Sequence, residues 1–261
     1  MPTATNDGVS PFYTADGDGD AVCFLGDLGY GAWQWGWQAP AVAGPYRSVV
    51  TDLRGAGRSD APAGPYAVAD LAADAEAVLA AAGVRSATVV GAGLGGMVAL
   101  ELARTTGRVD RLALFGTAAH GAGLDLDALR ADPADPDSWD RSLAAATTER
   151  FRREYPDAVD RIDGWRRDED ATGDAWAAQA AAVRGFDARD WLFEVTVPAL
   201  VVHGAADAVW PPDRGRRLAA DLPRGSFRAV EEAGHLVWAE AARVVTDELL
   251  ALLDGTGDEG P

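Results

Sequence analysis

The sequence predicts one α/β domain built on a mostly parallel, twisted sheet of about seven or eight strands flanked by helices. Short apolar segments alternate with longer alanine-rich amphipathic segments, which is the pattern of βαβ units. The chain has 261 residues, of which 48% are hydrophobic, so it can bury one large core. No internal repeat divides the chain, so we expect a single domain over residues 1–261.

The first half of the chain contains the elements expected at the centre of the sheet. Two short strand-like runs, Phe12–Thr14 and Ala21–Leu25, flank a turn-forming segment and predict an early hairpin around 16–20. The apolar run Arg47–Leu53 predicts the next strand. The elements predicted after it are the helix Val68–Ala82, the strand Ala87–Val90, the helix Gly95–Thr106 and the strand Arg111–Phe115.

A long polar segment, 124–190, interrupts this alternation. It carries Trp139, Trp165 and Trp176 without a strand pattern, and it predicts several short helices. We expect a helical cap, inserted between the sixth and seventh strands and covering a site. The elements predicted after the insert are the strand Ala199–His203, the helix Asp213–Leu222, the strand Ser226–Val230 and the helix Leu236–Leu253. The Gly- and Asp-rich ends, 1–9 and 254–261, are expected to fray.

The charge balance narrows the classes of partner. The chain has 41 acidic and 23 basic residues, a formal net charge of −18, and every basic residue is arginine. Because the acids are dispersed, we expect an acidic surface adapted to high salt and a haloarchaeal-like source, with a GC-driven arginine bias as the alternative. Such a charge disfavours nucleic-acid binding and leaves a small-molecule ligand or substrate as the expected partner. The sequence does not determine the oligomeric state.

Cysteine usage and hydropathy predict a cytoplasmic protein that does not associate with membranes. The lone Cys23 excludes an internal disulfide, and its apolar neighbours indicate a core residue. The first residues lack the basic and apolar regions of a signal peptide. No apolar stretch is long enough to span a bilayer. No residue pattern indicates a cofactor or a metal site.

The segment A-T-V-V-G-A-G-L-G-G, residues 87–96, is the most informative in the chain, because a strand enters a sharp glycine turn and a helix follows. As Gly91-x-Gly93-x-x-Gly96 it fits a dinucleotide-binding fingerprint, but several strands precede it and the next strand ends without an acid for a ribose. As G-x-Nuc-x-G-G it fits a nucleophile elbow with Gly93 at the nucleophile position. Glycine tolerates the unusual dihedral angles of such a turn.

Three further motifs make the chain resemble the α/β-hydrolase superfamily over nearly its whole length. The segment D-L-R-G-A-G-R-S-D, residues 52–60, resembles the family's D-x-R-G-x-G-x-S turn. The segment V-V-H-G-A-A-D, residues 201–207, resembles its late strand, glycine and acid. Gly234-His235 resembles its terminal Gly-His. The resemblance implies an α/β-hydrolase fold with the family order of nucleophile, acid and histidine.

The resemblance also implies a role for several residues of this chain. Asp207 resembles the orienting acid and His235 the general base, whereas a turn aspartate and a lone helix-start histidine are the alternatives. The oxyanion donors are expected to be the backbone N–H groups of Leu94 and of Leu28 or its neighbour. His203, at a strand end, is expected to be structural.

Two positions depart from the family pattern. Gly93 removes the hydroxyl that would form a covalent intermediate, and none of the serines at 10, 48, 59, 86, 138, 142 and 226 lies in an elbow. Gly26-Asp27 stands where the family usually has His-Gly. A carboxylate there would repel a developing oxyanion, so we expect Asp27 to point away, to hold a water or to act as an acid with a raised pKa. A solvated turn aspartate is the alternative.

Aromatic residues near these motifs predict an apolar pocket. Trp33, Trp210 and Trp238 are candidates for its lining, with core packing as the alternative for some tryptophans. His120 follows a strand end and is a further candidate, facing either the cap or the site.

Three functions are compatible with this pattern. The first is His/Asp base-assisted chemistry on a small apolar substrate, either water-mediated hydrolysis or a lyase-like reaction, with a water in the space left by Gly93. The second is a catalytically silent homologue that binds a small ligand. The third, dinucleotide binding, is disfavoured. The retained pair Asp207 and His235 favours the first, an enzyme without the orthodox serine esterase mechanism.

Overall fold

The computed structural model describes residues 2–255 and shows a seven-stranded sheet flanked by helices. The strands lie in the order β1-β3-β2-β4-β5-β6-β7; β1 is antiparallel to β3 and all other neighbours are parallel. The strands are β1 (Tyr13–Asp16), β2 (Ala21–Leu25), β3 (Arg47–Thr51), β4 (Ala87–Ala92), β5 (Val109–Phe115), β6 (Ala199–Gly204) and β7 (Gly225–Val230). The α/β sheet expected from the sequence is thus confirmed.

Ten α-helices are found in the described part of the chain. They are α1 (Gln38–Val42), α2 (Val68–Ala81), α3 (Leu94–Thr105), α4 (Asp137–Ala146), α5 (Glu149–Glu154), α6 (Pro156–Glu169), α7 (Gly173–Gly185), α8 (Pro212–Asp221), α9 (Val237–Glu240) and α10 (Ala242–Leu253). The helix expected over Leu236–Leu253 is therefore divided into α9 and α10. Within residues 2–255, no helix is both long and apolar enough to cross a bilayer.

The predicted hairpin of the first two strands is wrong. β1 pairs with β3, with Tyr13 opposite Thr51, so β3 lies between β1 and β2. All five residues of β2 are buried, and a strand of this kind needs a neighbour at each edge. The parallel strands β3 and β4 supply these neighbours, and the segment 17–20 connects strands that are not adjacent.

The helical insert lies between β5 and β6, so its predicted position between the sixth and seventh strands is wrong. The N-terminal segment explains the difference in strand number. It forms only isolated bridges, Thr3 with Phe12 and Asn6 with Val9, and adds no further strand within residues 2–12.

The N-terminal segment is also not frayed as expected. Ala4 and Val9 are buried, and the Asn6 side chain donates a hydrogen bond to Asp74 in α2. These contacts hold the segment against the domain. At the other end, the expected fraying of 254–261 falls from residue 256 onward outside the described residues.

The topology brings the loops of the candidate site to one edge of the sheet. Asp27 follows β2, Gly93 follows β4, Asp207 follows β6 and His235 follows β7. Because these strands are parallel, their carboxyl ends lie at the same edge. This is the edge at which open α/β sheets bind ligands.

The glycines after β4 let α3 approach the sheet closely. A Cβ on Gly95 would overlap the carbonyl oxygen of Leu25 in β2, and a Cβ on Gly96 would stand 2.6 Å from the Thr117 side chain. The space beside both glycines is therefore filled by the protein itself. In a dinucleotide fingerprint the third glycine, here Gly96, serves the same close packing of a helix on its sheet, so this packing is compatible with both interpretations of the motif.

We expect Gly95→Ala to lower the free energy of unfolding by about 3 kcal/mol or more, because the new methyl group meets rigid backbone. Gly164→Ala is the matched control: Gly164 lies in α6 with nothing within 4 Å of a built Cβ, so this change should stabilise by about 0.5–1 kcal/mol. Urea denaturation of the two variants measures both values. Equal effects would contradict the close packing of α3 on β2.

Candidate active site

The side chain of Asp27 occupies the space that the nucleophile would take. Gly93 adopts the left-handed φ of +45° at the turn between β4 and α3. A Cβ built on Gly93 would overlap the Asp27 carboxylate, with Oδ2 2.7 Å away. The predictions that Asp27 points away or is solvated are wrong, because it is fully buried and faces the elbow. The space left by Gly93 is filled by this carboxylate, so the expected water there is also wrong.

The Asp27 carboxylate takes both of the expected oxyanion donors. The backbone N–H groups of Leu28 and Leu94 donate to Asp27 Oδ1 over 2.6 and 2.8 Å. Leu94 is the first residue of α3, so the positive end of that helix also faces the carboxylate. One carboxylate oxygen therefore lies where the oxyanion of an acyl-transfer intermediate would be held.

The second oxygen of Asp27 connects it to the histidine and the acid. His235 Nε2 is 2.7 Å from Asp27 Oδ2, and His235 Nδ1 is 2.9 Å from Asp207 Oδ2. Each ring nitrogen thus faces a carboxylate oxygen. The structure therefore joins Asp27, His235 and Asp207 in one continuous chain of hydrogen bonds, with the imidazole in the middle.

The pKa of His235 reflects its two carboxylate neighbours. Burial disfavours the charged ring, but Asp207 and Asp27 raise the pKa to about 10. His235 therefore carries both protons at neutral pH and donates to both carboxylates. A protonated ring cannot accept a proton, so in this state His235 is not a general base.

Asp207 is held as an anion by four hydrogen-bond contacts. Its Oδ1 accepts from the backbone N–H groups of Val209 and Trp210, and its Oδ2 contacts both His235 and His203. Burial opposes the charge, but the positive His235 and the bonds from both histidines hold the pKa of Asp207 below its ordinary value.

His203 is a site contact that the sequence pattern did not assign. Its Nε2 lies 2.7 Å from the Trp210 carbonyl oxygen and 3.2 Å from Asp207 Oδ2. Since a carbonyl only accepts, Nε2 carries a proton, and His203 orients Asp207. The available signal was its position four residues before Asp207 in the same motif.

The predicted pocket residues do not all lie at the site. The ring of Trp210 stacks on His235 with centroids 5.9 Å apart, and Trp238 packs edge-on at the same separation. Trp33 instead donates its indole N–H to Asp170 of the cap over 2.7 Å. His120 faces Arg214 in a separate surface cavity.

The loop that carries Asp27 is held on its core side by polar side chains. Gln34 Oε1 accepts from the Asp27 backbone N–H over 3.1 Å, and Gln34 Nε2 donates to the Gly31 carbonyl. Asp52, the first residue of the D-x-R-G turn, accepts from Ala32 N–H over 2.8 Å. The turn motif is thus structural here, because it supports the loop that presents Asp27.

The helical insert between β5 and β6 holds the same loop on its other side. Gln179 in α7 accepts from Gly29 N–H over 2.8 Å, and Ala171 N–H donates to the Gly29 carbonyl over 2.7 Å. Asp170 accepts from the Trp33 indole and is paired with the fully buried Arg166 at 2.9 Å. These contacts hold the helical insert against the loop that carries Asp27, and the Asp27 and His235 side chains have no exposed surface.

Comparison with known proteins identifies one family and several similar proteins. The family described as "alpha/beta hydrolase fold" matches residues 22–242. The 3-oxoadipate enol-lactonase 2 of Acinetobacter baylyi is 27% identical, over 90% of this chain and 89% of its own. Among solved structures, Est816, an N-acyl homoserine lactone degrading enzyme, is 27% identical with a TM-score of 0.84, over 96% of this chain and 99% of its own. The enol-lactonase of Burkholderia xenovorans is 26% identical with a TM-score of 0.85, over 97% and 100%.

We expect the stability of the protein to fall between about pH 6.5 and pH 10. Folding raises the pKa of His235 above its unfolded value of about 6.5, so its contribution is complete below that pH and is lost as pH rises toward 10. At ~1.4 kcal/mol per pKa unit, the loss amounts to a few kcal/mol in urea denaturation. The absence of lysine leaves few other groups that titrate in this window.

Asp27→Asn is the matched variant for this measurement. The asparagine keeps the shape and can donate to a neutral His235, so the pKa of His235 should fall. The alkaline loss should still begin near pH 6.5, but it should be smaller and end at lower pH. Side-chain nitrogen NMR of His235 follows the same change directly. Identical pH profiles for the two proteins would refute the ion pair.

Proposed function

We propose that this chain, which belongs to the alpha/beta hydrolase fold family, is a catalytically silent member of that family and binds a small molecule. The observation that carries the proposal is the Asp27 carboxylate, which holds both oxyanion donors and the proton of His235 Nε2. An ester carbonyl would have to displace a full negative charge from these partners. The elbow itself offers only Gly93 and therefore no nucleophile.

The energetics of the buried carboxylate support this proposal. Asp27 is fully buried, so moving it out of the site would leave two N–H donors and one charge of His235 without a partner. Removing one partner of a buried ion pair costs about 3–5 kcal/mol. A substrate would have to offset that cost before any chemistry began, which favours a closed structural centre over a turnover site.

Base-assisted chemistry is the second candidate, and the Asp207–His235 geometry favours it. The distance of 2.9 Å between Asp207 Oδ2 and His235 Nδ1 is that of a working acid–histidine pair. In this alternative the cap opens, Asp27 withdraws and His235 loses its proton, after which the ring can act on a water or on a substrate C–H or O–H group. Enol-lactonases and a homoserine-lactone-degrading enzyme among the relatives act on small molecules.

Restoring a serine elbow tests the proposal. Gly93→Ser alone should be inactive toward short-chain nitrophenyl esters, because the serine Cβ would overlap the Asp27 carboxylate. Asp27→Gly combined with Gly93→Ser clears that overlap and restores the glycine of the family's His-Gly pattern. We expect this double variant to exceed the wild-type rate by at least about 10²-fold.

Two controls make the result decisive. Adding His235→Ala to the double variant should abolish the gained activity, and circular dichroism should show that every variant is folded. Because of the acidic surface, the assays are run in low salt and in multimolar KCl. Wild-type turnover that disappears in His235→Ala and rises with pH toward 10 would replace the silent function with base chemistry.

A further inference from the structure

A cavity of about 660 Å³ lies at the surface, formed by three parts of the fold, and no residue of the Asp27–His235–Asp207 chain lines it. Residues 118–120, which follow β5, form one wall, and α8 forms another. The third wall is the segment 189–193, which connects the cap to β6. The cavity therefore lies beyond the carboxyl end of β5, where α/β sheets present ligand sites.

The cavity combines an apolar surface with charged groups. Ala118, Ala119, Leu192 and Phe193 contribute the apolar part, and Phe193 keeps 67% of its surface exposed. Phe193 is one of only two large hydrophobic side chains that are exposed within residues 2–255. It gives the cavity an uncovered aromatic wall.

Most of the charges around the cavity are already paired. Arg189 pairs with Asp187 at 2.5 Å and Arg217 pairs with Asp221 at 2.6 Å. Asp213, which also lines the cavity, pairs with Arg216 at 2.7 Å. In each of these pairs the positive charge is balanced by a neighbouring carboxylate.

Arg214 is the exception among the cationic groups that line the cavity. Within residues 2–255 it forms no ion pair with a carboxylate. Its Nη1 instead lies 3.2 Å from His120 Nδ1 and 3.3 Å from Nε2. Both side chains are half-buried, and the arginine charge faces the imidazole inside the cavity. The chain as a whole has a formal net charge of −18.

The surroundings of His120 favour its neutral form. Burial, Arg214 from α8 and Arg189 from the connecting segment lower its pKa, and Asp187, just before that segment, opposes them as the smallest of these effects. A neutral imidazole can donate one hydrogen bond while Arg214 supplies the charge. The pair thus offers N–H donors and a single positive charge on one side of the cavity.

We propose that this cavity binds a small monovalent organic anion, a carboxylate with an apolar or aromatic body. Arg214 and His120 hold the carboxylate, and Leu192 and Phe193 contact the body. A dianion such as a phosphate ester fits less well, since Asp213 and Asp221 also line the cavity. The proposal deepens the proposed binding function and rests on it, but its test does not depend on ester hydrolysis.

Proton linkage follows from this placement. A carboxylate beside His120 opposes the effects of Arg214 and Arg189 and favours the charged ring. Binding therefore takes up a proton, and the affinity increases as pH falls through the pKa of the free His120. The same anion should leave His203 and His235 unchanged, because both are fully buried elsewhere in the fold.

Titration with benzoate, followed by histidine NMR, tests the site. The chain has only three histidines, and His120→Gln identifies the responding signal. We expect a saturable shift of the His120 signal, at least tenfold weaker binding of the neutral isostere benzamide, and tighter binding of benzoate at lower pH. The absence of a saturable shift, or equal binding of benzamide, would overturn the proposal.

Arginine variants separate the site from general charge effects. Arg214→Gln should raise the Kd for benzoate at least tenfold, whereas Arg214→Lys, which keeps the charge, should raise it by less. Arg243→Gln removes the same charge at an exposed residue of α10 that lies outside the cavity lining, and it should change Kd less than twofold. Equal losses in Arg214→Gln and Arg243→Gln would overturn the proposal. Benzoate binding without any ester turnover supports both proposals, and wild-type ester turnover would contradict only the silent function.

Discussion

The contact between the Asp27 carboxylate and the imidazolium of His235 is the constraint on which the site depends. It requires glycine at position 93, because any side chain there would overlap the carboxylate. It also satisfies the backbone donors of Leu28 and Leu94, which would otherwise be buried without an acceptor. A single aspartate thus accounts for the glycine at position 93, and His235 together with Asp207 stabilises its buried charge.

Burying two carboxylates around one imidazolium is unfavourable unless other dipoles contribute. Asp27 receives two backbone N–H groups and the positive end of α3, and Asp207 receives two more N–H groups and His203. The loop that carries Asp27 must therefore be held accurately. Gln34 and Asp52 hold it from the core, and Gln179 with the 169–171 segment holds it from the cap. The helical insert thus helps to position the loop that carries the Asp27 charge.

This arrangement separates two regions of the same sheet edge. The Asp27–His235 contact is sealed by the chain itself, while the neighbouring cavity lies at the surface and is lined by Arg214, which has no carboxylate partner within residues 2–255. In a chain of net charge −18, a half-buried arginine without a carboxylate partner leaves an unbalanced positive charge. An anionic ligand would balance that charge without disturbing the Asp27–His235 contact, so the proposed binding and the proposed lack of ester chemistry are compatible in one fold.

The sequence by itself determined the α/β class, the strands β2 to β7 and the glycine turn at Gly93, and it singled out Asp207 and His235 as candidates, because periodicity and short motifs are local properties of the chain. It did not determine that β1 pairs with β3, since two adjacent segments can form a hairpin or can be separated by a third strand. Nor did it determine the position of the Asp27 side chain, which meets His235 across 208 residues of sequence. Which group fills the space beside a glycine depends on how several loops approach it, and only the tertiary structure decides that.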